Sequence, residues 1–180
     1  MLYGKSYIVM FALKELIGEE SLNGVLKTLV DRHKNEIDAT VTSVEFLGEL
    51  YKVTPEESHY LIVDWFKKII TYDLSIAEVS YSKQPNGVYE VTINIDAKKF
   101  ESVDGIESEI SMSEPIPIGL FSTHPSGASL DDVIHLSPET IVDGKQKLTF
   151  QTDKLPKYVS IDPYGTRPDL VRSDNHLEVD

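Results

Sequence analysis

The stretch "VYEVTINID", residues 88–96, sets Tyr89, Val91, Ile93 and Ile95 against Glu90, Thr92 and Asn94. A strict period of two is the pattern of a half-buried strand, because successive side chains leave opposite faces. Just upstream, "PNG" at 85–87 is a turn signal joining it to "SIAEVSYSK" (75–83), so the pair reads as a β-hairpin. Downstream, "ESEISMSEPIPIGLF" (107–121) keeps Ile110, Met112, Ile116, Ile118 and Leu120 in phase, while Pro115 and Pro117 assign that part to an edge or a bulge. "KQKLTFQT" (145–152) and "KYVSID" (157–162) complete about seven short strands, punctuated by "HPSG" and "DG". No strand alternates with a helix, so the expectation is an antiparallel sandwich of immunoglobulin-like type and not an α/β sheet.

Working back toward the N-terminus, the period changes from 2 to 3.6. A first helix is expected from near Lys5 to Ile17, with Gly18 at a left-handed C-terminal cap. Leu22, Val25, Leu26, Leu29 and Val30 then recur as one apolar helical face. Thr42 with Glu45 forms a capping box for "SVEFLGELY", and Thr54-Pro55-Glu56-Glu57 repeats the signal before a stripe of Leu61, Ile62, Trp65, Phe66, Ile69 and Ile70. The chain is therefore expected to be α+β: about four helices over residues 1–73, then the sandwich over 74–180. Tyr7 to Leu13 is an apolar run covering every side of its helix, and such a helix must be enclosed all round. Tyr7, Ile8, Met10 and Phe11 are expected to leave one side uncovered within this chain.

With 180 residues, 41% of them apolar, there is material for a sizeable core. A net charge of -13 argues against nucleic acid or an anionic membrane surface as partner. The N-terminal apolar run is too short to span a bilayer and lacks signal-peptide features, so the fragment is expected to be soluble without fixing its location. Zero cysteines exclude disulfides, thiolate catalysis and Cys-zinc sites. The five histidines, His33, His59, His124, His135 and His176, include no pair at helical metal-binding spacing and read as surface or turn residues. The loop "STHPSG" brings Ser and His together without an orienting third group, so it reads as a polar turn. Asp162, Asp169, Asp174 and Asn175 lack calcium-loop spacing and read as turn caps, with Arg172 as a clamp on a nearby carboxylate. Asp131 and Asp132 read as solvated loop residues.

The opening "YGKSYIVMFALKELIGEESLNGVLKTLV" (3–30) resembles the Tyr-x-Lys-Gly helix of the aminopeptidase N-type zinc metallopeptidases and its "LIGEE-x-L" continuation. Residues 55–93 and "SIDPYGTRPDLVRSDN" (160–175) are similar to the end region of a bacterial subgroup in which an ABC-type permease-like segment precedes the peptidase domain. The resemblance implies that Tyr3 matches the tyrosine that hydrogen-bonds the oxyanion of the tetrahedral intermediate, and that Lys5 matches a supporting lysine. Ser6 departs from the family's glycine. The family's zinc lies in an H-E-x-x-H helix upstream of the matched segment, and this sequence has no counterpart to those ligands. The resemblance thus implies a C-terminal fragment: no metal or cofactor of its own, zinc and peptide substrate in a membrane-associated parent, and the upstream zinc-binding part as partner. Read from the residues alone, Tyr3 is equally an aromatic packing on the second helix. A non-catalytic sandwich module for protein interaction or transporter support remains the alternative, as does a family member that has lost its metal. Self-association through the first helix is a further expectation.

Overall fold

The structure, a computed structural model, describes the backbone of residues 2–35 and 40–180, and side chains from residue 6 onward within those ranges. The chain divides into two compact units, residues 1–69 and 70–180. The boundary falls before the expected end of the helical part at 73, because Ile69 and Ile70 enter a strand instead of closing the helical stripe.

The first unit holds α1 (Leu2–Ile17), α2 (Glu19–His33), α3 (Ser43–Val53) and α4 (His59–Lys67). Gly18 has φ 83 and ψ 155, so its positive φ calls for glycine, but it lies outside the left-handed helical region expected of a cap. Its N–H donates to the Lys14 carbonyl and its own carbonyl accepts from Leu22 N–H. One residue therefore ends α1 and begins α2. The Thr42–Glu45 capping box forms as expected: Thr42 Oγ1 accepts from Glu45 N–H at 3.3 Å and Glu45 Oε2 accepts from Thr42 N–H at 3.0 Å. The box expected at Thr54 does not form. Thr54 instead caps the end of α3, its hydroxyl donating to the Leu50 carbonyl at 2.8 Å, and residues Glu56–Ser58 make a 3-10 turn before α4. The core joins Val9, Ala12 and Leu13 to Leu22, Val25, Leu29, Leu50, Leu61, Ile62 and Trp65. Leu26 and Val30, assigned to the buried face of α2 by periodicity, lie at its exposed margin.

The second unit contains β1 (Ile69–Lys83), β2 (Tyr89–Val103), β3 (Ile106–Ile110), β4 (Ser113–Phe121), β5 (Val133–Val142), β6 (Gly144–Thr152), β7 (Tyr158–Ile161) and β8 (His176–Glu178). One sheet has β1 beside β2, with β3 pairing Lys99–Val103 and β6 pairing Tyr89–Ala97 of that long strand. The other runs β5-β4-β7-β8, all antiparallel. Setting β3 aside, β1-β2-β6 facing β5-β4-β7-β8 is the strand order of an immunoglobulin-like sandwich. A single core unites the inward residues of both sheets, from Leu74, Ile93 and Ile95 to Ile116, Ile118, Leu120 and Ile161.

The two β4 prolines show how the sequence tolerates them. β4 pairs with β5 along its whole length, but β7 joins its other side only from Ile118 onward. The carbonyls of Pro115 and Pro117 are taken on that side by Arg167 and by Asp162 N–H. In a strand a residue's C=O and N–H share a side, so the missing N–H groups fall where β7 is absent and cost no ladder bond to β5. β4 is thus an edge only over its proline half.

Candidate functional site

Tyr3 and Lys5, the residues that the family resemblance singles out, fall in the first turn of α1, and their side chains lie outside the described residues. Further along α1 the pattern is one-sided. Val9, Ala12 and Leu13 are buried, while Tyr7 is 66% and Phe11 39% exposed. The two rings lie one helical turn apart with centroids at 4.7 Å. Ile8 and Met10, expected on the same open side, are half-buried.

The densest polar constellation sits inside the sandwich. Lys99 on β2 and Glu114 on β4 occupy inward positions continuing the apolar stripes Val91–Ala97 and Ile116–Leu120. Glu114 accepts from Lys99 Nζ and from the Tyr72 hydroxyl at 3.0 Å, and Arg167 Nε lies 3.4 Å from its second oxygen. Lys99 and Arg167 also lie over the Tyr72 ring, at 5.7 and 5.9 Å. All four residues are buried. Asp162, in the left-handed region at φ 46, accepts from Thr166 N–H, from the Thr166 hydroxyl and from Arg167 N–H. Burial pushes its carboxyl above the usual range, against those bonds and the Arg167 charge. The strap then returns to β1: Tyr72 N–H donates to the Pro168 carbonyl, and Asp169 accepts from Leu74 N–H at 3.0 Å. Enclosed carboxylates with this many donors hold structure together and have no route to a substrate.

This places the acidic C-terminal segment as the turn-capping element the sequence suggested, with one correction. Arg167, not Arg172, clamps the carboxylate; the Arg172 guanidinium instead lies where a Cβ on Gly165 would be. Asp132 is more than a solvated residue, since it forms a capping box with Ser129 and accepts from Ser122. "STHPSG" is the polar turn expected, with His124 Nδ1 accepting from Ser126 N–H.

Sequence spacing missed a second grouping, on the outward face of β7 and β8. His124 lies 5.1 Å from the Tyr158 ring and 5.4 Å from that of His176, whose Nδ1 is 2.7 Å from Ser160 Oγ. Burial first, then His124 and Arg172, holds His176 below the ordinary histidine range. Ser160 is fully buried, so this Ser–His contact cannot present a nucleophile. The ring nitrogens also fail as a metal centre. Among the described residues no group of three His, Cys, Asp or Glu is placed to hold an ion, so the zinc implied by the resemblance has no donor set here. Among the same residues no helix is long and apolar enough to cross a membrane.

Neither a protein-family model nor a curated protein matches this chain.

Proposed function

We propose that this chain is the C-terminal portion of an aminopeptidase N-type zinc metallopeptidase, its helices closing the catalytic domain and its sandwich following. What carries the reading is the Tyr-x-Lys pair in the first turn of a helix that keeps Tyr7 and Phe11 exposed. The upstream zinc-binding part of the parent is then the partner that covers this side. The order of four helices followed by an immunoglobulin-like sandwich supports the same reading. On this reading the chain alone hydrolyses nothing, since the metal is held upstream. Tyr3 serves the parent by donating a hydrogen bond from a helix N-terminus to the oxyanion that develops on the peptide carbonyl.

The test is Tyr3→Phe in the full-length parent, which removes one donor and leaves the ring. Loss of such a donor lowers kcat by roughly 10²–10³. The loss is expected in kcat and kcat/KM together, with Lys5→Ala milder. A Tyr3→Phe enzyme with near-normal kcat, or a parent gene without an upstream zinc motif, overturns the reading. The alternative, a sandwich that acts as an interaction module with the helices bracing it, is favoured by the same exposed Tyr7–Phe11 pair if no catalytic part precedes it.

A further inference from the structure

An open groove of about 460 Å³ lies in the sandwich unit between the start of β5 and the end of β6. Its walls include Val133, Ile134 and His135 in succession, and then residues 151–154 in succession. Side chains of a strand alternate between faces, so a run of consecutive residues can line one groove only where the groove meets the strand's edge. Both edges are unpaired there: among the described residues β5 pairs with β4 alone and β6 with β2 alone. The wall is therefore main chain, with N–H and C=O groups that call for a partner of the same kind.

We propose that this groove binds an extended polypeptide segment carrying basic side chains, which adds as a strand to the free edge of β5. Three features single out that occupant. An extended chain is the ligand that satisfies a strand edge, with side-chain pockets supplying selectivity. Val88, Val133 and Ile134 offer apolar contact inside the groove. At its rim Asp131 and Asp153 are exposed and take no ion pair or hydrogen bond through their carboxylates among the described residues, against the single cation of Lys154. The rest of these edges is guarded, by Pro138 further along β5 and by Lys145 and Lys147 on β6, so the open stretch is confined to the groove. A bulge at Ile134, where His135 pairs with Leu120 but Val133 with Phe121, marks the same place. This inference does not depend on the peptidase reading.

The experiment uses the full chain labelled with ¹⁵N and three peptides: acetyl-Lys-Val-Thr-Val-Lys-amide, its Glu-for-Lys analogue, and a version of the first with N-methylated central amides. The basic peptide is expected to shift and protect the amides of residues 133–137, the acidic one to bind more weakly, and the N-methylated one not to bind. Asp131→Asn with Asp153→Asn, both exposed and safe for folding, should weaken the basic peptide about tenfold. No perturbation at millimolar peptide overturns the proposal. So does equal binding of the N-methylated peptide, which would mean that the edge is not used, or equal binding of the acidic one.

Discussion

At the residue scale the sandwich is defined by four charges enclosed in a core otherwise built of Val, Ile and Leu. Lys99 and Arg167 balance Glu114 and Asp162, so the group is neutral as a whole, although each member alone would be costly to bury. Removing one member breaks that balance. Glu114→Ala should cost about 3–5 kcal/mol, because Lys99 and Arg167 lose their shared counter-ion. The double change Lys99→Met with Glu114→Leu leaves Arg167 facing Asp162 and should cost less than Glu114→Ala alone. Urea denaturation of the three proteins decides it; a single variant no less stable than the double would show that the quartet is not coupled. Part of this was legible in advance. Lys99 and Glu114 carry the inward phase of their strands, and a charge at an inward position is a signal that periodicity exposes. Arg167 carries no such signal, since it lies on a strap after β7 and its partner depends on tertiary folding.

At the element scale, local chemistry was readable wherever one residue had one available partner, and misleading where it had two. Thr42 has a free helix start beside it, and the capping box follows. Thr54 resembles it in sequence but also lies four residues after Leu50, whose carbonyl needs a donor at the end of α3, and that demand wins. Ile69 and Ile70 continue a helical stripe equally well as they begin a strand; pairing with β2 decides, and no window of local sequence contains that partner. The box that does form has a consequence with pH. Glu45 is held at about 2 by the Thr42 backbone N–H, then by His33 and the Thr42 hydroxyl. Its carboxyl is thus depressed from 4.5. A depressed acid lends stability that is complete above its unfolded value and disappears as pH falls through the folded one. Acid unfolding of the helices, followed by circular dichroism between pH 4.5 and 2, should therefore be steeper than in Glu45→Gln, which keeps an N3 acceptor but does not titrate. Identical acid profiles, or a Glu45 carboxyl resonance titrating in the ordinary range, would remove the box from the account.

At the scale of the whole molecule, each unit owns a separate core, and the helical one leaves part of its apolar surface in water. Val9 and Leu13 are buried by its own helices, whereas Tyr7 and Phe11 are stacked on each other in the open. The earlier argument that an all-apolar helix needs cover on every side is thus half satisfied within the chain, which is what a piece adapted to a missing neighbour would show. Exposed apolar surface of this kind recruits a partner. In the absence of an upstream part, the available partner is a second copy, and the isolated chain should self-associate through α1 as its concentration rises. Sedimentation velocity over a concentration series measures this directly. Tyr7→Ser with Phe11→Ser should return the chain to a monomer without loss of thermal stability, because neither ring belongs to the buried core. A wild-type chain that stays monomeric at high concentration would mean that α1 needs no cover, and would withdraw the main structural support for a neighbour on that side. If the full-length parent is monomeric while the isolated chain is not, the face is one that the upstream part fills.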